Sequence, residues 1–296
     1  SFAVKLGRQE VIYDDSRIFG NVGWAQQARS HDMALLQFGN DNYKLDLGVA
    51  YNQNAQNLTG NLYSLPSYKA FQYLWYHNKL GNVNASFLFL NNGMQDLDAE
   101  ETRYSQTIGT HLKFKLSNAI SASTNLYYQF GYDVSDKELS AYLLNLDLGF
   151  KLSEKSTLGL GAEIQSGNDY DKTSKNKAFT PLYGTNHKFN GFMDYFYVGN
   201  HGNNVGLFDV YGKFSTKLNT KSTVTAFIHN FSSQAKINET VSNQLGTEVD
   251  LVYNYKFSKD ISIGAGYSQM FASEGLEIVK GNMDGNSNNW GWLMVT

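Results

Sequence analysis

The sequence predicts an all-β fold, an antiparallel transmembrane β-barrel of about 14 strands, and three observations support this prediction. Apolar and polar residues alternate with a period of two along most of the chain. Many of these alternating segments reach about ten residues, which is the length that a tilted strand needs to cross a bilayer. The connections are alternately short and long, as in barrels that have short periplasmic turns and long extracellular loops.

The alternation is clearest between Tyr142 and Leu152, where Leu144 and Leu146 share one face while Asn145 and Asp147 share the other. A strand with one apolar and one polar face is expected when one side contacts lipid and the other faces a lumen. In chain order we expect strands to begin near Phe2, Ala34, Tyr43, Tyr68, Val83, Thr107, Ile120, Tyr142, Thr157, Val205, Thr223, Glu248, Ile261 and Asn289.

The connections separate a barrel from its soluble rival, a β-sandwich adhesin. Short links occur around 39–42, 78–81, 117–118, 153–155, 219–221 and 258–260, and longer polar stretches occupy 13–31, 52–67, 91–104, 167–204, 233–243 and 272–288, with 131–138 as a medium exception. A sandwich has no reason to sort its loops by length, so the barrel is favoured. We interpret residues 1–296 as one barrel domain. The chain begins within a strand and ends without a terminal aromatic residue, so we expect missing N-terminal strands and a few missing C-terminal residues.

Composition excludes several classes of protein. The net charge of −3 and the pI near 6.1 argue against nucleic-acid binding. The absence of cysteine excludes disulfides and thiol chemistry. No apolar run approaches the roughly 18 residues of a membrane helix. A mean hydropathy of −0.41 agrees with a barrel, because only alternate strand residues face lipid.

The sequence shows no enzyme motif and no metal motif. Its six histidines are scattered, and neither a GxSxG elbow nor an HExxH helix is present. Acidic loop clusters at 96–101 and 169–171 have the ligand type that calcium prefers, although solvated loop charge is the simpler interpretation. We therefore expect neither catalysis nor a cofactor.

Strand parity assigns charged residues of both signs to the lumen. The expected lumen residues are Lys44, Asp46, His111, Lys113, Lys115, Asp147, Lys151, Glu163, Asp209, Lys213, Lys217, Glu248, Asp250 and Lys256. These side chains either pair across strands and fill the interior or line a water-filled channel that selects solutes by charge. A barrel of this strand number is too wide to pack solid, so the channel is favoured.

Two stretches resemble the alginate-export family of outer-membrane barrels. The first comprises Leu6-Gly7-Arg8-Gln9-Glu10, then Asp15, Arg17, Phe19-Gly20, Trp24 and Gln27-Ala28-Arg29-Ser30-His31-Asp32. The second is the segment from Phe179 to Phe196, with the sequence FTPLYGTNHKFNGFMDYF, and it is similar to the long loop of Bacteroidetes-type members. The match at the level of motifs covers about 40 residues, and the layout of strands and loops is similar over most of the chain.

The resemblance implies a monomeric channel of about 18 strands in the bacterial outer membrane, surrounded by lipid, with a positive constriction that passes an anionic polysaccharide. Arg8 and Arg29 would line that constriction with Asp32 balancing them. The 167–204 loop would gate the pore or form a rigid cap, anchored by Tyr183, His187 and Asp194. With 4 arginines against 20 lysines, a general or oligosaccharide porin is an alternative. Two others are a non-conducting barrel that binds envelope proteins and an outer-membrane barrel enzyme.

Overall fold

The computed structural model describes residues 1–25, 27–53, 68–172, 174–196, 201, 204–283, 285 and 288–296. Fourteen strands form one antiparallel sheet in which each strand pairs with the next along the chain. They are β1 (Phe2–Gln9), β2 (His31–Gly39), β3 (Tyr43–Tyr51), β4 (Ala70–Leu80), β5 (Val83–Asp96), β6 (Glu101–Lys115), β7 (Ile120–Tyr132), β8 (Glu138–Lys151), β9 (Ser156–Gln165), β10 (Leu207–Lys217), β11 (Ser222–Ser232), β12 (Gln244–Lys256), β13 (Ser262–Ala272) and β14 (Asn288–Val295).

Helical structure is confined to the connections. A single 3₁₀ turn, Asn186–Lys188, lies between β9 and β10, and helix α1 (Glu274–Lys280) precedes β14 within the predicted 272–288 stretch. Neither helix has the length or the hydropathy to cross a membrane, and the same holds for every helix in the described ranges. The predicted fold class, an all-β antiparallel barrel, is confirmed.

The two faces of the sheet differ in polarity as the parity predicts. Large apolar side chains are exposed on the outer face, among them Leu36, Phe38, Phe87, Phe89, Leu144, Leu146, Val249 and Leu251. The residues between them point inward, and many polar ones, such as Asn145 and Glu248, are buried. A hydrocarbon environment suits the apolar outer face and also requires backbone hydrogen bonding, which the pairing of neighbouring strands from β1 to β14 provides.

The short turns share a local chemistry. In the β2–β3 turn the Asn40 side-chain oxygen accepts the backbone N–H groups of Asn42 and Tyr43, at 2.9 and 3.2 Å. Ser117, Ser153, Asn219 and Ser258 accept the N–H groups two and three residues ahead in the same way. Such Asx and Ser turns satisfy the backbone of a tight reversal locally, so these links need few residues.

The sheet order begins at β1 and ends at β14. The pairs described for β1 are with β2, from Phe2 opposite Phe38 to Gln9 opposite His31, and those for β14 are with β13. The expectation that further strands complete the barrel stays a prediction.

The described parts of two long connections pack inside the sheet. We name them loop A (residues 10–25 and 27–30, between β1 and β2) and loop B (residues 166–172, 174–196, 201 and 204–206, between β9 and β10). Phe19 of loop A and Tyr183 of loop B are buried against Phe71 and Tyr73, which point inward from β4. Phe19 and Tyr183 also form an isolated bridge. The principal apolar core is therefore the contact between the two loops and the inner wall.

Candidate functional site

A buried ion pair joins loop A, loop B and the wall. The Arg17 guanidinium donates to Glu163 of β9, and the two side chains are 2% and 0% exposed. Glu163 also accepts from Gln165, at 2.7 Å, and from Asn190 of loop B, at 3.0 Å. The Phe189 ring lies 3.5 Å from the guanidinium carbon, a cation–π contact. A buried carboxylate needs such partners, since an unpaired charge in this environment is costly.

The neighbouring acid on β10 is compensated in the same manner. Asp209 is fully buried and accepts from Asn190, at 3.1 Å, while its other partner is His229 of β11, at 2.9 Å. One amide of loop B therefore donates to Glu163 and to Asp209, and it fixes the position of the loop against β9 and β10.

Loop A makes a second set of contacts with strands β3 to β7. The Tyr13 hydroxyl donates to Asp46, at 2.7 Å, and the Trp75 indole N–H donates to Asp14, at 3.1 Å. Asn125 donates to Asp15, at 2.6 Å. Burial raises the pKa of Asp14 and raises the pKa of Tyr13 well above its ordinary value. These groups are held in the barrel interior and not in bulk water.

The predicted anchors of loop B have two different roles. Tyr183 is buried and its hydroxyl donates to Asn92 of β5, so it ties the loop to the wall. His187 and Asp194 contact each other, with the imidazole Nδ1 2.9 Å from the carboxylate. Arg29 of loop A donates to the Gly184 carbonyl, at 2.8 Å, and so connects the two loops.

A glycine allows loop B to approach β12. Gly191 has a φ of +83°, and a Cβ placed there would lie 2.6 Å from the Glu248 carboxylate. That carboxylate accepts the Met193 backbone N–H at 2.9 Å. Glu248 therefore lies directly behind loop B, and Asp250, two residues further along the same face of β12, is also buried.

On the side of loops A and B that faces the short turns, a cavity of about 240 Å³ is lined by three cationic side chains and by two carboxylates, Asp15 and Asp147. Arg17 is the first of the three cations. Lys188 of loop B donates to the Asp15 carbonyl, at 2.8 Å, and Lys213 of β10 lies 4.9 Å from the Phe227 ring. The Tyr211 hydroxyl donates to Asp147 on the same wall. We call this space the central cavity.

Below the central cavity, the inner wall near the short turns is lined by lysines. They are Lys44, Lys79, Lys113, Lys115, Lys151, Lys213, Lys217 and Lys256, which share strand faces with buried inward residues. Two cavities open at this rim, of about 830 Å³ beside Lys217 and Lys256 and about 460 Å³ beside Lys115 and Lys151. We call this region the lysine vestibule.

The charged residues predicted for the lumen are therefore sorted by sign. Glu163, Asp209 and Glu248 accept hydrogen bonds from loop B, and Asp250 is buried on the same face as Glu248. The predicted lumen lysines that line the cavities at the rim are Lys115, Lys151, Lys213, Lys217 and Lys256. Asp46 and Asp147 lie nearer the turns, and each accepts a hydrogen bond from a tyrosine, Tyr13 and Tyr211 respectively. His111 bonds to Asn125, at 2.9 Å.

Two of the predicted constriction residues lie elsewhere. Arg8 and Asp32 do form a bidentate ion pair, at 2.8 and 2.9 Å, but their side chains are 76% and 53% exposed on the outer face. They share that face with Leu6 and Phe38, while the inward neighbours Gln9 and His31 are buried. The prediction that Arg8 and Asp32 line the pore is thus wrong, because their strand parity directs them outward.

Arg17, Lys188 and Asn190 were not predicted as interior residues, although the quoted motifs contain all three. All three residues are in loops, where strand parity does not predict which way a side chain points. Tyr211 shares its strand face with Asp209 and Lys213, so parity could have found it.

The acidic loop clusters have local explanations. Asp96 accepts the backbone N–H groups of Asp98 and Ala99, both at 3.1 Å, and pairs with Arg103. Asp169 accepts from Lys172, at 3.2 Å. Within the part of the chain that the structure describes, no three histidine or acidic side chains are arranged to hold a metal ion.

A single antiparallel sheet with an apolar outer face, a polar interior and short turns at one rim defines a bacterial outer-membrane β-barrel of the channel-forming class. The family model described as alginate export matches residues 1–281, and the chain belongs to that family. A comparison with curated protein sequences gave no match.

Solved structures of outer-membrane porins share the fold. The chain is similar to the outer membrane protein OprD of Pseudomonas aeruginosa, with 13% identity and a TM-score of 0.66 over 99% of this chain and 74% of that one. It is also similar to OccK5 (OpdH) of the same organism, with 10% identity and a TM-score of 0.64 over 99% and 78%. A third similar structure is OccAB4 of Acinetobacter baumannii, with 10% identity and a TM-score of 0.62 over 100% of this chain and 72% of that one.

Proposed function

We propose that this outer-membrane channel passes anionic saccharides and that the lysine vestibule attracts them at the periplasmic rim. The observation that carries the proposal is the sorting of charge along the interior. Lysines face the open cavities beside the short turns, while most of the inward-facing acids are covered by loops A and B. Rings of one sign at a pore mouth raise the local concentration of solutes of opposite sign.

The central cavity supplies the next contact along this path. Lys188 and Lys213 present ammonium groups beside the aromatic ring of Phe189 or Phe227. The family is named for the export of alginate, a carboxylated polysaccharide, and this chemistry agrees with a lysine-lined path. Lysine is a flexible point charge without the fixed bidentate geometry of arginine. We therefore expect tolerance of several carboxylated solutes.

The test is ion selectivity and block in a planar bilayer. We expect wild-type channels in a KCl gradient to favour chloride and to be blocked by tri-galacturonate at lower concentration than by maltotriose. A triple variant, Lys213→Gln, Lys217→Gln and Lys256→Gln, should lose most of both preferences. The matched control is Lys137→Gln in the β7–β8 loop, which removes the same type of charge at the opposite rim. A cation-selective wild-type channel would overturn the proposal.

A second candidate is a closed barrel that binds envelope partners. Loops A and B cross the interior and are fixed by the Arg17–Glu163 pair and by the bond from Tyr183 to Asn92. Correctly inserted protein that carries no current in any salt would favour this candidate.

A further inference from the structure

Three of the four tryptophans contact one another, and two of them, Trp24 and Trp292, line one cavity with Lys188. The Trp24 ring lies 5.0 Å from Trp292 at an interplanar angle of 81°, and 5.7 Å from Trp290 at 66°. It stacks on the His187 imidazole, with centroids 4.3 Å apart. The cavity, of about 430 Å³, is lined by Trp24, Trp292, His187 and Phe192, with Asn21 and Thr185 among its polar residues.

Polar side chains among aromatic ones are typical of small-molecule sites, where they fix the orientation of the ligand. Asn21 and Thr185 supply such polar side chains here, so a ligand with hydroxyl groups fits the lining.

The charge at the cavity has one sign. Lys188 lines both this space and the central cavity, and its ammonium group is exposed while it donates to the Asp15 carbonyl. His187, the other ionisable group at the cavity, contacts Asp194. An anionic substituent on a ligand in this cavity would therefore meet the ammonium of Lys188.

We propose that the cavity is a binding subsite for one pyranose ring of an anionic saccharide. The apolar C–H face of the ring stacks on one indole of the Trp24–Trp292 pair, ring hydroxyls bond to Asn21 and Thr185, and the carboxylate faces Lys188. This inference rests on the proposed function, which it deepens: the channel recognises the sugar ring and not only its charge. Phosphate or acetate, which lack a ring, would occupy the lysine vestibule without occupying this subsite.

Isothermal titration calorimetry on the full-length protein in detergent tests the subsite with three probes: tri-galacturonate, maltotriose and acetate. We expect the wild type to bind tri-galacturonate more tightly than maltotriose, and acetate least. Trp24→Leu should raise the dissociation constant of both trimers about tenfold, because the ring contact is lost. Trp24→Phe should retain most of the affinity. Lys188→Gln should weaken tri-galacturonate alone. Tyr132→Leu, at an exposed aromatic on β7, is the control and should change neither.

The subsite is refuted if Trp24→Leu binds both trimers as the wild type does, if acetate binds as tightly as tri-galacturonate, or if the wild type binds no trimer. Circular dichroism melting confirms that each variant is folded. The two proposals fail separately. A wild type that binds the trimers but carries no current refutes the channel and keeps the subsite, whereas a conducting protein that binds no trimer refutes the subsite alone.

Discussion

The Arg17–Glu163 pair offers the most direct test of how loops A and B are held in the barrel. Arg17→Met keeps a long side chain but removes the only cationic side chain that the structure places on Glu163 among the described residues. Glu163 is fully buried and would retain only the amide donors of Gln165 and Asn190. Breaking a buried pair by removing one partner costs about 3–5 kcal/mol. The undocked population of the loops should therefore increase by about two to four orders of magnitude.

Hydrogen exchange measures this change at amides that bridge the loops. The Gly20 N–H donates to the Tyr183 carbonyl and the Thr185 N–H donates to the Ser16 carbonyl, both at 2.9 Å. In Arg17→Met we expect their protection to decrease by about two orders of magnitude, because local opening exposes them. Amides in the middle of β8 should keep theirs. Open-channel current should become larger and noisier as the loops leave the interior.

The matched control is the double variant Arg17→Met with Glu163→Gln. It removes both charges, so no uncompensated carboxylate remains, and most of the protection should return. Wild-type protection in Arg17→Met would refute the inference that this pair holds the loops. A double variant no better protected than the single one would show that packing of Arg17 over Phe189, and not charge, supplies the energy.

Three further predictions concern single residues. Burial raises the pKa of Asp14, so its contribution to docking is full below the unfolded pKa of about 3.8 and is lost as the pH rises through the folded pKa. Asp14→Asn keeps an acceptor for the Trp75 N–H and should raise the melting temperature at pH 7 but not at pH 3; a lower melting temperature at pH 7 would contradict this. Arg8→Ala should leave ion selectivity and sugar block unchanged, since Arg8 is on the outer face; a loss of block would return it to the pore. Tyr183→Phe leaves Asn92 buried without its donor and should destabilise the protein by about 1–3 kcal/mol, and an unchanged denaturant midpoint would refute the anchor role.

The strands could be predicted from the sequence because, in a membrane barrel, lipid-facing apolar residues alternate with lumen-facing residues along each strand. In β8 the outward residues Leu144 and Leu146 and the inward residue Asn145 alternate as the period of two requires. The short turns were also predictable, since five of the six begin with an Asn or Ser that accepts the following backbone N–H groups, and the β4–β5 turn has Gly81 at a φ of +60°. The same parity also predicts the direction of the Arg8 side chain. Leu6 is on its face and is 75% exposed, so the same rule that predicts β8 places Arg8 towards lipid.

Strand parity could not predict how acids and lysines are distributed along the interior. It predicts which face of the sheet a side chain is on but not which loop covers that face. The acids and lysines of β10 and β12 share the same inward parity, yet Asp209 and Glu248 are buried while Lys213 and Lys217 face cavities. The difference arises from loops that return to the wall over long sequence separations. The hydrogen-bonded side chains of Arg17 and Glu163 are 146 residues apart in the sequence, and those of Tyr183 and Asn92 are 91 residues apart. No local pattern encodes such a pairing, and a net charge of −3 conceals it. In the proposed function, a basic path is open to solutes because loop B bonds to Glu163, Asp209 and Glu248, so variants that release the loops should lose anion preference as well as loop docking.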